Sequence, residues 1–148
     1  MVAATQTTRF LPFLDPAEES AVLATAPIKS FDRGQLVLDQ NVMLRAIFLI
    51  EEGSVRVERK DRDQTIPLAL LDAGEFFGEM SFVDGTPTSA RVIADEPTRL
   101  RVIDTATVDS LTKADPGFAA RLYRSIAAIL AERLRLTSMR AYGDQSWG

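Results

Sequence analysis

Gly74-Glu75-Phe76-Phe77-Gly78-Glu79-Met80-Ser81-Phe82-Val83-Asp84-Gly85-Thr86-Pro87-Thr88-Ser89-Ala90 is the stretch on which the reading of this chain turns. Glycines at 74, 78 and 85 let a backbone turn sharply or approach another molecule closely. Between them a short helix would point its amides outward, and small hydroxyl residues stand where the chain re-enters a β-prone run. Backbone N–H groups arranged this way can cradle an anion. A glycine-bounded turn before a strand is also ordinary structure, so both readings stand on these residues alone.

Outward from this stretch, Ile28 to Asp104 consists of short β-prone runs broken by turn residues. Strands are predicted at Ser30–Asp32, Gln35–Asp39, Arg45–Glu51, Ser54–Lys60, Thr65–Leu71, Ser89–Ala94 and Thr98–Ile103. Ser54-Val55-Arg56-Val57-Glu58-Arg59 alternates, which places one face in a core and the other in water. Lys60-Asp61-Arg62-Asp63-Gln64 reads as a charged hairpin tip, and nothing repeats internally.

Helical segments flank this β region. The N-terminal one occupies 10–25, with Asp15-Pro16 as N-cap and first-turn proline of a helix running to Thr25, and Glu18 and Glu19 favoured by its dipole. The C-terminal helices occupy 105–140: a short Thr105–Leu111 stretch, then a long helix begun by Asp115-Pro116 and running to about Met139. Phe118, Leu122, Ile126, Ile129, Leu130 and Leu134 fall on one face of it. The tail Tyr142–Gly148 is expected to fray. The fold class expected is mainly β with flanking helices, a double-stranded β-helix or jelly roll closed by a long C-terminal helix.

Composition narrows the function. At 148 residues, 46% hydrophobic and 26% charged, residues 1–148 suit one globular domain. Seventeen basic against 21 acidic residues leave a net charge of −4, which disfavours binding nucleic acid over the whole surface. Histidine and cysteine are both absent. That removes the commonest general base and metal ligand, thiolate chemistry, disulfides and every Ser-His-Asp or Cys-His arrangement. The carboxylates Glu75, Glu79, Asp84 and Asp95 do not assemble an active site without them, so the chain is read as no enzyme. No apolar run reaches the roughly 18 residues of a membrane span, and MVAATQTTRF lacks a signal-peptide layout. The expectation is a cytoplasmic protein without a membrane segment.

Phe77-Gly78-Glu79-Met80-Ser81, followed by Pro87-Thr88-Ser89-Ala90-Arg91-Val92, resembles the phosphate-binding cassette of the cyclic nucleotide-binding domain family. The resemblance extends over nearly the whole chain, taking in Gly34, the Phe48-Leu49-Ile50-Glu51-Glu52-Gly53-Ser54-Val55 turn and Leu71 to Glu79. Asn41 stands where members often have glycine, and asparagine also tolerates a left-handed backbone. The resemblance implies a ligand site of Phe77, Gly78, Glu79, Met80, Ser81, Thr88, Ser89, Ala90 and Arg91. Glu79 would take a ribose 2′-hydroxyl, and the amides around Gly78, Met80, Ser89 and Ala90 would face a cyclic phosphate. Read without the resemblance, Glu79 is equally a helix-start glutamate favoured by the dipole.

One departure stands out. Thr88 occupies the place of the family's phosphate-binding arginine. A bidentate arginine–phosphate contact is worth on the order of 2–4 kcal/mol, so cAMP or cGMP would bind roughly 30- to 1,000-fold more weakly. Arg91 is a candidate substitute, although in a strand it points away from Thr88. Three possibilities stay open: weak binding through amides, Thr88 and Ser89; another nucleotide or a dinucleotide; or an empty pocket. No cofactor is implied.

Family members that regulate transcription continue from this helix into a helix-turn-helix. With Gly148 as its last residue, the chain is expected to be a stand-alone regulatory module without a DNA-binding domain, signalling to an unidentified protein partner through its C-terminal helix. The alternative is a degenerate interaction or oligomerisation domain. The apolar stripe of the long helix suits docking on the roll or a homodimer. Arg121, Arg124, Arg133, Arg135 and Arg140 make that helix basic, by default a solvated face.

Overall fold

Asp15 and Glu18 cap the first helix reciprocally, Glu18 N donating to Asp15 Oδ1 at 2.8 Å and Asp15 N to Glu18 Oε1 at 3.2 Å. The computed structural model describes residues 10–142, and the expected fraying of the tail lies for residues 143–148 outside them. Helix α1 is therefore Pro16–Thr25. The expectation of helix over 10–25 is corrected for residues 10–15: Asp15 is extended, as the residue before a proline prefers. Phe10, Leu11 and Leu14 are buried there in non-helical turns.

The roll follows as β1 (Ile28–Phe31), β2 (Leu36–Leu38), β3 (Ala46–Glu52), β4 (Ser54–Asp61), β5 (Gln64–Asp72) and β6 (Phe76–Phe77). Helix α2 (Glu79–Asp84) interrupts it before β7 (Arg91–Ala94) and β8 (Thr98–Asp104). Antiparallel pairing builds two facing sheets, ordered β1-β8-β3-β6 and β2-β7-β4-β5. Helices α3 (Thr105–Ala114) and α4 (Gly117–Tyr142) close the chain.

Three differences from the expected strands have local causes. β7 begins at Arg91 rather than Ser89, because the backbone of Thr88 bonds outside the sheet, its N–H to Val42 O at 2.9 Å and its C=O to Asn41 N at 2.7 Å. β6 is only two residues long and was not expected, since Phe76-Phe77 carries no alternation to read. The alternation in β4 ends at Glu58, which is buried beside Arg91 where the register to β5 shifts.

Two apolar clusters share strand β3. Phe48 and Ile50 face the interior between the sheets with Val55, Phe77, Val92 and Leu100, while Ile47 and Leu49 face the helices with Phe82, Ile103, Leu122 and Ile126. A strand buried on both faces reads as the continuous apolar run seen there. Asn41 is left-handed at φ 62°, where its amide side chain is tolerated.

Candidate functional site

A cavity of about 240 Å3 opens between the sheet of β4 and β7 and the segment that carries α2. Phe77, Gly78, Glu79, Met80 and Ser81 form one wall, and Thr88, Ser89 and Ala90 another. Leu38, Val57, Leu71 and Val92 complete an apolar floor. Eight of the nine residues singled out from the sequence thus line one space.

Gly78 is where backbone geometry demands glycine. Its φ is +85°, and a Cβ there would lie 2.6 Å from Ala46 O and 3.0 Å from the Phe48 ring. This close approach lets Phe77 stack on Phe48, centroids 4.9 Å apart and planes 6° from parallel. Helix α2 is then anchored by the buried Phe82 and stopped by Gly85, left-handed, whose N–H donates to Ser81 O at 2.9 Å.

Thr88 does a different job from the one its position implied. Its hydroxyl donates to Asp39 O at 2.7 Å and accepts from Val42 N at 3.0 Å. With its single O–H committed, it braces the 39–42 loop and has no donor to offer a phosphate.

Glu79 is buried in the wall at 7% exposure, and burial pushes its carboxyl above the ordinary range, with Arg133 pulling in the opposite direction. Arg133 arrives from α4: Nη1 donates to Glu79 Oε1 at 2.9 Å, Nη2 to Phe76 O at 2.6 Å, and the guanidinium lies 4.9 Å from the Phe76 ring centroid. It also lines the cavity. Sequence reasoning counted Arg133 only as part of a basic helix face; nothing local marks it, because Glu79 is 54 positions away.

Arg91 is corrected. It is not among the cavity-lining residues; its Nε and Nη2 hold the buried Glu58 at 2.8 and 2.6 Å from the neighbouring strand. Arg91 and Glu58 are cross-strand partners on the face opposite Val92 and Val57. The other carboxylates near the cassette are also engaged: Glu75 with Asp72 N, Asp84 with Thr86, and Asp95 with Arg56.

The solvated reading of the α4 arginines is corrected for Arg121, Arg124 and Arg133; Arg135 is exposed, and the side chain of Arg140 lies outside the described residues. Arg121 bonds Glu18 and Asp115, and Arg124 lies 4.0 Å over the Phe13 ring. The stripe on α4 divides: Leu122 and Ile126 are buried, Ile129 and Leu130 partly so, and Leu134 is 67% exposed. No helix among the described residues is long and apolar enough to cross a membrane.

Comparison with known proteins gives the same picture. The model of the cyclic nucleotide-binding domain matches residues 28–115. Cyclic GMP-binding protein C of Dictyostelium discoideum is 33% identical over 115 residues, 77% of this chain but 4% of that protein. The cyclic AMP receptor protein of Thermus thermophilus is 33% identical over 123 residues, 82% of this chain and 55% of that protein. Glutaminase 2 of Bradyrhizobium diazoefficiens is 30% identical over 121 residues, 82% of this chain and 19% of that protein. The chain therefore spans little more than half, or far less, of the length of these relatives. Among solved structures, the Thermus thermophilus catabolite activator protein superimposes with a TM-score of 0.71 at 32% identity, over 86% of this chain and 59% of that one. A cyclic nucleotide-binding domain from Methylobacillus flagellatus shares the fold, with a TM-score of 0.79 at 22% identity over 89% of this chain and 75% of that one. With the cassette, the roll and its closing helix in place, the chain belongs to the cyclic nucleotide-binding domain family.

Proposed function

We propose that this domain is a regulatory sensor that takes a cyclic nucleotide in the cavity and reports occupancy through α4. The observation that carries the reading is the contact between Glu79, buried in the cassette wall, and Arg133 of the closing helix. A buried carboxylate discriminates a ligand hydroxyl, because an analogue lacking it leaves a buried acceptor without its donor. The same carboxylate holds α4, so whatever alters its partners alters how firmly that helix is docked. Relatives named for cyclic GMP and cyclic AMP support this class of ligand. Binding is expected to be weak, because Thr88 offers the phosphate neither charge nor donor. The reading assigns the domain a non-catalytic role in the cytoplasm.

The test is a thermal-shift series on the purified protein with cAMP, cGMP, a cyclic dinucleotide and ATP. A ligand present at about 100 times its dissociation constant adds roughly 2.7 kcal/mol to the native state. A rise in melting temperature with cAMP or cGMP, lost in Glu79→Ala, supports the reading. A shift that Glu79→Ala leaves unchanged removes the assigned site.

A second reading, an interaction module that binds no nucleotide, is favoured by one observation. Ala120, Tyr123, Ala127, Leu130, Leu134 and Thr137 follow each other at spacings of three and four along α4 and are exposed or half-exposed. Such a seam suits a second copy of the helix. A concentration-dependent dimer indifferent to every nucleotide would favour it.

A further inference from the structure

Among the described residues that line the cavity, Glu79 and Arg133 are the only charged side chains, one on the roll and one on the helix. Of the five N–H donors of the guanidinium, one on Nη1 goes to Glu79 and one on Nη2 to Phe76 O. Nε and the second hydrogen on each Nη are left for a further acceptor. The carboxylate has capacity too: it offers about four lone-pair sites, so a ligand hydroxyl does not have to evict the arginine.

The chemistry of the ligand brings these groups together. In a 3′,5′-cyclic nucleotide the 2′-hydroxyl and the phosphate-bearing 3′-oxygen sit on adjacent ring carbons. A hydroxyl donated to Glu79 therefore carries the phosphate to the neighbourhood of the guanidinium 2.9 Å from that carboxylate. Thr88, with its hydroxyl committed to Asp39 O, and Arg91, committed to Glu58, are not competitors for the role. We propose that Arg133 is the cation that recognises the ligand phosphate, supplied to the cavity by α4 instead of by the roll. This rests on the cyclic-nucleotide reading of the cavity.

The arrangement has a consequence for signalling. A cation fixed on the roll would hold the phosphate wherever α4 lay, whereas this one is present only when α4 is docked. An anionic ligand therefore strengthens the docked position by the contact it makes there, and the docked helix strengthens binding to the same extent.

Titration calorimetry of cAMP and cGMP with the wild type, Arg133→Gln, Arg133→Lys, Thr88→Arg and the Arg133→Gln/Thr88→Arg double variant tests the proposal, each protein first shown to melt cooperatively. Arg133→Gln is expected to weaken binding about 10- to 100-fold, Arg133→Lys less, and the wild type to lose affinity more steeply with added salt than Arg133→Gln. Arginine at position 88 is expected to raise affinity more in the Arg133→Gln background than in the wild type, because the two cations serve one phosphate, whereas equal gains in the two backgrounds would mean that Arg133 merely holds the helix and would overturn the proposal. Because Thr88→Arg gives up two hydrogen bonds, the Arg133 single variants at two ionic strengths decide the matter even if it does not fold. Equal or tighter binding by Arg133→Gln overturns the proposal and leaves the cyclic-nucleotide reading standing, as does weaker binding with an unchanged salt dependence. Binding by Thr88→Arg but not by the wild type also overturns it, while keeping the cavity as a nucleotide site. No binding by any of the proteins overturns the proposal and the reading together.

Discussion

Glu79 Oε1 and Arg133 Nη1 are 2.9 Å apart across 54 residues of chain, and their contact joins the cassette wall to the closing helix. Burial raises the Glu79 carboxyl above its ordinary 4.5, against the pull of Arg133. The native state therefore holds more protons than the unfolded chain from about 4.5 up to the folded value, and stability declines as pH rises through that window. Glutamine at 79 cannot titrate. The melting temperature of Glu79→Gln relative to wild type is expected to improve between about pH 4 and pH 7, whatever the fixed cost of offering Arg133 an amide oxygen in place of a carboxylate. A relative melting temperature that is flat or falls over that range would contradict the assigned shift.

Thr88 is expected to behave as a brace. Thr88→Val leaves Asp39 O and Val42 N without their partner and should destabilise the fold by about 1–3 kcal/mol, read from denaturant midpoints. Thr88→Ser keeps the hydroxyl and should cost clearly less. In amide exchange the Val42 N–H should lose protection in the valine variant only.

Gly78 offers a sharper steric test. An alanine Cβ meets a backbone carbonyl at 2.6 Å from a left-handed φ, so Gly78→Ala is expected to cost at least about 1–3 kcal/mol. The wall must shift to relieve that clash, so ligand binding should fall with stability. Gly34 is also left-handed but has nothing within 4 Å of an added Cβ, and Gly34→Ala should cost less. Equal costs at the two positions would remove the packing argument.

Helix α4 should be energetically uneven. Ile126, 1% exposed, packs on the helical face of β3, and Ile126→Ala is expected to cost about 2–5 kcal/mol. Leu134, 67% exposed, should change monomer stability by no more than about 0.5 kcal/mol when cut to alanine. If Leu134→Ala lowers a melting temperature that itself depends on protein concentration, the helix end is paired with a second copy.

Much of this molecule was legible residue by residue. Asp15-Pro16 placed the start of α1, and β-prone runs broken by turn residues located most of the strands to within two residues. The cassette glycines marked the wall, and Asn41 marked a left-handed turn. The readings of the site that needed correction concern side chains whose partners are remote. Thr88 was measured against a phosphate when its partners are 46 and 49 residues upstream. Arg91 looked like a spare cation because Glu58 is 33 residues away.

The sequence by itself determined the family, the order of elements apart from β6 and the wall of the cavity, because caps, turns, alternation and the cassette motif are written within a few consecutive residues. Only the tertiary structure decided which cation reaches Glu79, that Thr88 is committed to a loop, and where the apolar stripe of α4 leaves the roll. Those choices depend on which distant segments packing brings within about 3 Å of each other, a distance that no local periodicity encodes.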